Sequence, residues 1–211
     1  MTIQTSLVSA ADLSNWFDSS IHGLKIPFRD RETMAAALFD QVHEHHKAIQ
    51  LLLKNSFIGS AFSLERSVFE NFVRGVWLWR CASDKDVERF KTDKINRGID
   101  DLIVEIEKGP GYNRSVLSKI KKTAWKAMCS YAHGGYLQSV RRITPGSITP
   151  RYTEGEMLEL INFSEIVALL AAYEIFSMAK REDLMRDMLE RMRNALWLDR
   201  NINSQFEQGS K

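Results

Sequence analysis

The chain has 211 residues, of which 44% are apolar and 27% are charged, a composition that excludes general disorder and suffices for one buried core. Its 29 basic and 27 acidic residues leave a total charge near zero. The first residues lack the basic start and apolar run of a secretory signal, and the most apolar segment, residues 161–179, contains two glutamates, which argue against a membrane span. We therefore expect a cytoplasmic protein.

Apolar residues recur with the period of an α-helix along nearly the whole chain, which predicts an all-α fold, a helical bundle with long antiparallel helices. We predict one domain over residues 1–200 and a disordered tail over residues 201–211. In chain order, the pattern and its Gly, Pro and Ser breaks predict helices over residues 10–22, 30–55, 59–81, 83–90, 95–107, 115–132, 154–179 and 181–198. The helix over 115–132 is expected to resume as far as residue 142, and residues 143–152 are expected to form a surface loop.

Residues 112–153 contain no Asp or Glu, and we call this stretch the basic band. Eight of the chain's 29 basic residues fall in it, which leaves 21 basic against 27 acidic residues elsewhere. Such a concentration of positive charge attracts phosphates and carboxylates and speeds their arrival. The alternative is a helix face that is basic only because it faces water. The basic residues of the band are Arg114, Lys119, Lys121, Lys122, Lys126, Arg141, Arg142 and Arg151.

The predicted helix over residues 59–81 is apolar around most of its circumference, which is typical of a central helix in a bundle. Its polar remainder includes Arg66, Glu70 and Arg74, which we call the Arg stripe; the spacing of four residues places Glu70 between two guanidinium groups. Two arginines suit bidentate binding of a phosphate or a carboxylate. The alternatives are an ion-pair ladder on the surface, or a small-anion pocket if the stripe faces the inside of the bundle.

The segment Ser130–Gly135 places His133 at a helix end, followed by Gly134 and Gly135, which permit close backbone approach or a positive φ angle. A histidine exchanges protons near neutral pH, so His133 is a candidate acid or base. The alternative is a capping residue that donates to a carbonyl of the last helical turn.

Three histidines, His43, His45 and His46, cluster with Asp40 and Glu44 in the second predicted helix. Asp40 and His43 have the carboxylate-x-x-His spacing of di-iron bundle proteins, but such a site requires a second motif, which the sequence lacks. We therefore expect a histidine cluster on the surface, no metal site and no cofactor.

The runs AFSLERSVFENFVRGVWL, from Ala61, and SYAHGGYLQSVRR, from Ser130, resemble an uncharacterised bacterial family of small all-helical proteins, and the likeness spans residues 30–165. More distantly, the chain resembles the HEPN superfamily of helical bundles, often dimeric, which includes metal-independent RNases of toxin–antitoxin and phage-defence systems. In those RNases an Arg lies a few residues before a His, and the pair acts on the phosphodiester. Here Lys126 is the only basic residue at that distance before His133, so the resemblance implies that Arg66 or Arg141 replaces that Arg in the folded chain.

From these features we expect a homodimer that binds RNA or another polyanion and does not bind a membrane, with RNA cleavage as the enzymatic form of the hypothesis. The alternative is a non-catalytic interaction or regulatory module in which the same residues form a folded turn. The expected site consists of catalytic His133, Arg66 and Arg141, of phosphate-binding Arg74, Lys126 and Arg142, and of supporting Glu70, Ser130, Gly134 and Gly135.

Overall fold

The computed structural model describes residues 2–194, and over these residues the chain is an all-α bundle, as the periodicity predicts. The helices are α1 (Ile3–Ile21), α2 (Asp30–Lys54), α3 (Ile58–Arg80), α4 (Asp84–Lys91), α5 (Ile99–Ile106), α6 (Val116–Ala132), α7 (Tyr136–Val140), α8 (Glu154–Met178) and α9 (Glu182–Asn194). The predicted tail over residues 201–211 and the end of the last predicted helix lie outside the described residues.

Helix α3 occupies the centre of the bundle, because most of its circumference is buried against neighbouring helices. Its most extensive partner is α2, which runs antiparallel to it. Gly75 permits the close approach of these two helices, since a Cβ atom at this position would lie 2.6 Å from a ring carbon of Phe39.

Two further helices flank α3 and fix the surroundings of the Arg stripe. Helix α8 runs parallel to α3, and the rings of Phe69 and Phe163 lie 6.4 Å apart between them. Helix α6 runs antiparallel to α3: the Ser63 hydroxyl donates to the carbonyl of Tyr131 at 3.1 Å, and the Phe69 ring lies edge-on to Trp125 at 6.4 Å. The C-terminal end of α6 therefore lies beside the N-terminal half of α3.

Two local features differ from the sequence-based expectation. Helix α1 begins at Ile3 rather than at residue 10, because Thr2 and Thr5 form a reciprocal capping box that satisfies the first backbone donors. The expected loop over residues 143–152 contains a short antiparallel hairpin of β1 (Ile143–Thr144) and β2 (Ser147–Ile148). Gly146 closes its turn with a φ angle of +79°.

The prediction of a surface histidine cluster is wrong for two of its three members. His43 and His46 are only 5% and 1% exposed, because α1 and α8 cover this face of α2. The His43 ring packs 4.6 Å from Phe17, and His46 Nδ1 is hydrogen-bonded to the Ser164 hydroxyl at 2.9 Å. Neither Nε2 atom has a hydrogen-bond partner among the described residues. Burial is the main cause that lowers the pKa of both histidines to about 3. A smaller contribution comes from the charge of Lys47 at His43, and from the charges of His43 and then Lys47 at His46.

Helix α8 is long and apolar enough to cross a membrane by length and composition, contrary to the expectation from the two glutamates in residues 161–179. However, 67% of its most apolar window is buried against other helices. Its apolar character is therefore accounted for by its place in the core, as for the central helix of a bundle.

We predict that the buried histidines make the fold sensitive to acid. In the unfolded chain they bind protons below their ordinary pKa of 6.5, whereas in the folded chain they stay neutral down to about pH 3. The contribution of the two histidines to the free energy of unfolding is therefore fully present above pH 6.5. It is lost as the pH falls from 6.5 towards 3, by up to about 2.7 kcal/mol per pH unit for two protons. Urea unfolding at a series of pH values measures this slope.

The variant His43→Phe keeps an aromatic ring against Phe17 and removes one titrating group, so we expect the slope to fall by about 1.4 kcal/mol per pH unit. His45→Gln on the same helix is the matched control. Equal slopes for wild type and His43→Phe would contradict the assignment.

Candidate functional site

The structure brings together two of the predicted catalytic residues. Arg66, on α3, donates from Nη1 to Nε2 of His133, the C-cap residue of α6. Because a guanidinium only donates, this contact requires an unprotonated Nε2 and places the proton of the neutral ring on Nδ1. The His133 side chain is exposed, and no described carbonyl accepts from it, so the alternative of a side-chain cap does not describe its contacts.

The turn after α6 explains why two glycines follow His133. The N–H of Gly135 donates to the carbonyl of Ser130 at 2.7 Å, while Gly134 has a φ angle of +65°, an arrangement that satisfies the last carbonyls of the helix. The Ser130 hydroxyl accepts from the N–H of Leu137 at 3.0 Å and ties α7 to the turn. Three of the four supporting residues of the predicted site, Ser130, Gly134 and Gly135, thus belong to this turn.

The Arg stripe and a tryptophan hold the Arg66 guanidinium in place. Its Nε and Nη2 lie 2.8 and 2.7 Å from Oε1 of Glu70, and its central carbon lies 4.9 Å from the centre of the Trp125 ring. Arg74 approaches the other Glu70 oxygen at 3.7 Å. Sequence reasoning did not assign Trp125 to the site, although it is the one tryptophan within the basic band. Its face stabilises the cation through the ring quadrupole.

Arg141 and Arg142 are not brought to His133 by any contact among the described residues. Arg141 is ion-paired with Glu156 and lies 6.0 Å from the Tyr152 ring centre. A hydrogen bond with Tyr131, against a smaller opposing effect of burial, raises the pKa of Arg141. Arg142 is exposed. Of the two arginines that sequence reasoning offered as partners of His133, only Arg66 makes contact with it.

Most cations of the basic band are available to solvent. Within the described residues, Lys121 pairs with Asp100 and Arg141 pairs with Glu156. No described acid forms an ion pair with the other six, and all six are exposed: Arg114, Lys119, Lys122, Lys126, Arg142 and Arg151. Over the described part of the chain, the band is therefore an excess of exposed positive charge that acids of the other helices do not neutralise.

Three of these cations lie on the same face of α6 as His133. Lys119, Lys122 and Lys126 are spaced by three and four residues, and His133 follows seven residues later, so all four share one face. We call the three lysines the Lys stripe. From Lys119 to His133 this face extends about 21 Å along the helix. The face ends at the contact between His133 and Arg66.

A titrating carboxyl lies next to Arg66 in sequence but outside the site. Burial, and secondly the negative charge of Glu159, raise the pKa of Glu65 to about 7. Such a value is typical of functional carboxyls. However, adjacent residues of a helix are rotated by about 100°, so Glu65 faces α8 while Arg66 faces α6.

Over residues 2–194, no group of three or more His, Cys, Asp or Glu side chains is arranged to hold a metal ion.

The chain belongs to a family of unknown function, DUF6988, whose model matches residues 39–195. The matched region begins inside α2 and contains Arg66, Glu70, Trp125 and His133, whereas α1 precedes it. No curated protein and no solved structure matches the chain significantly.

We predict that Gly135→Ala disrupts the turn that carries His133. A Cβ atom there would lie 2.6 Å from the Ser130 hydroxyl oxygen and 3.0 Å from its Cα atom. We expect the free energy of unfolding, measured with urea, to fall by about 1–3 kcal/mol through overpacking. The matched control is Gly155→Ala in α8, where the nearest atom is 3.9 Å away, and we expect it to change stability by less than about 1 kcal/mol. Equal losses in both variants would contradict the role of the turn.

Proposed function

We propose that this member of a family of unknown function binds RNA along the Lys stripe and cleaves it at Arg66 and His133. The observation that carries the proposal is the contact of the Arg66 guanidinium with the exposed His133 imidazole. This contact lies at the end of a helix face with three lysines for which residues 2–194 supply no ion-pair partner. These groups supply a base, a cation for the phosphate and a surface that holds a polyanion.

Before a reaction begins, a substrate phosphate has to replace His133 as the acceptor of the Arg66 N–H groups. In the free protein, Nε2 of His133 accepts from Arg66 and is not available to another donor. A phosphate group that accepts the N–H groups of Arg66 frees this nitrogen, because charged oxygens are stronger acceptors than imidazole. Substrate binding therefore generates the base at the place where the phosphate is held.

The proposed step is a transphosphorylation. Nε2 of His133 accepts the proton of a ribose 2′-hydroxyl, and the 2′-oxygen attacks the adjacent phosphorus. The bond from phosphorus to the 5′-oxygen breaks, and that oxygen takes a proton from water. The products are a 2′,3′-cyclic phosphate and a 5′-hydroxyl, and the imidazolium returns its proton to the solvent. Arg66 stabilises the charge that develops on the phosphoryl oxygens.

We extend the proposal to a distant relationship with HEPN RNases of bacterial toxin–antitoxin or phage-defence systems, to a cytoplasmic location and to a homodimer. The support is the resemblance of the two sequence segments and the pairing of an Arg with a His, although here the two residues come from different helices. Within residues 136–148, shortly after His133, four large apolar side chains are exposed, as at a surface that meets a second chain: Tyr136, Leu137, Ile143 and Ile148.

One observation favours a second candidate, a non-catalytic interaction module. Arg66 is already held by Glu70 and Trp125, as in a structural ladder, and needs no ligand to satisfy it. In this function the Lys stripe binds an acidic partner and His133 only completes the turn. A small-anion pocket inside the bundle has less support, because the side chains of Arg66, Glu70 and Arg74 retain 23%, 20% and 34% exposure.

We predict that the wild-type protein cleaves RNA in the presence of a chelator and leaves 2′,3′-cyclic phosphate and 5′-hydroxyl ends. His133→Ala should slow cleavage by about 10²–10⁴-fold, because the base is lost, with RNA affinity nearly unchanged. The assay compares purified proteins on the same RNA. His22→Ala, at an exposed histidine outside the basic band, is the matched control.

Arg66→Lys separates charge from geometry in the same assay. Lysine keeps the charge but lacks the planar fork, so cleavage should fall while the melting temperature barely changes. Absence of cleavage by the wild type, or cleavage that persists in His133→Ala, would contradict the enzymatic function and leave the interaction module.

We predict that RNA binding depends on salt through the Lys stripe. Replacing Lys119, Lys122 and Lys126 by Gln should reduce the slope of log affinity against log salt by about 2, since each phosphate contact of a single strand contributes about 0.7. Replacing the exposed lysines Lys25, Lys85 and Lys94 by Gln gives the same change in net charge outside the basic band. If both triple variants lower the slope equally, the RNA does not follow α6.

A further inference from the structure

A cavity lies at the other end of α3 from the candidate site. It has a volume of about 420 Å³ and is formed by the end of α3, the loop over residues 110–112, α8 and α9. Its position at Arg80 is 14 residues beyond Arg66, or about 21 Å along the helix. This volume lies within the range of small-molecule sites in proteins.

One wall of the cavity is a polar network built on a fully buried acid. Glu174 is 0% exposed; its Oε2 accepts from Nε and Nη2 of Arg80 at 2.9 and 2.8 Å, and its Oε1 accepts from the Tyr112 hydroxyl at 2.7 Å. Both carboxylate oxygens are thus occupied. No described residue accepts from Nη1 of Arg80, whose side chain retains 29% exposure. The network therefore offers the cavity a cationic donor, while its buried carboxylate is already engaged by Arg80 and Tyr112.

The remaining walls are mainly apolar. They are lined by Leu170 and Tyr173 of α8 and by Met188 and Leu189 of α9. Met188 is buried, whereas Leu189 is 44% exposed and forms part of the rim. A mostly apolar cavity with a few convergent polar groups is the usual form of a site for a small organic ligand.

From this combination we infer that the cavity binds an amphipathic organic anion, with its apolar or aromatic body between α8 and α9 and its carboxylate, sulfonate or phosphate on Nη1 of Arg80. A partly buried guanidinium recognises such a group through charge-assisted hydrogen bonds. A neutral ligand of the same shape gains only the apolar contacts. This site is separate from Arg66 and His133 and does not depend on RNA cleavage.

The test uses two fluorescent probes that share a ring system. Anilinonaphthalene sulfonate carries an anionic group, and phenylnaphthylamine lacks it. We expect the wild-type protein to bind the sulfonate saturably, at one site per chain, and to bind the neutral probe at least about tenfold more weakly, the loss of one charge-assisted contact. Equal affinities for both probes, or binding that does not saturate, would overturn the inference.

Two matched variants locate the probe. Leu189→Glu places a carboxylate at the rim, where it repels the anion and offers Arg80 another partner, so the affinity for the sulfonate should fall by about tenfold or more. Because Leu189 is partly exposed, the fold should remain, which circular dichroism checks. Val8→Glu makes the same change at an exposed apolar side chain in the groove between α1 and α2. Loss of binding in Val8→Glu, or no loss in Leu189→Glu, would overturn the assignment.

Discussion

The antiparallel packing of α6 on α3 is the constraint on which the candidate site depends. Arg66 and His133 lie 67 residues apart in the chain and meet only because contacts such as that of Ser63 with the Tyr131 carbonyl fix the register of the two helices. A shift of either helix by one residue rotates its side chains by about 100° and separates the pair. The apolar surface of α3 stabilises this register, because the faces of α3 that do not contact α6 pack against α2 and α8.

The contacts that hold Arg66 contribute little to stability, but they matter for function. An ion pair between residues four apart on one helix, such as that of Arg66 with Glu70, adds only about 0.3–0.5 kcal/mol to the free energy of folding. Together with the Trp125 ring, however, it fixes the direction of the guanidinium, and a fixed cation does not have to be ordered when a phosphate arrives. Glu70 also competes with an incoming phosphate, and Arg74 reduces this competition because it shares the same carboxylate.

The sequence predicted the helices, the Arg stripe and the position of His133 at a helix end, because helical period, side-chain spacing and paired glycines are local signals. It left open which arginine meets His133, since a helical pattern defines a face but not the helix that covers it. The same limit explains His43 and His46: their burial depends on Phe17 of α1 and Ser164 of α8, which no spacing within α2 reveals. Trp125 was not assigned to the site, because a tryptophan in a helix more often fills a core than stacks on a ligand.

The central claim is that Arg66 and His133 together form the place where an RNA phosphate binds. Nitrogen NMR of the His133 ring tests it directly, with and without an RNA oligonucleotide that is 2′-O-methylated and therefore resists cleavage. The account predicts a neutral ring with its proton on Nδ1 in the free protein, and a change in the Nε2 signal together with those of the Arg66 guanidinium when the RNA binds. RNA binding that leaves both sets of signals unchanged would contradict the account.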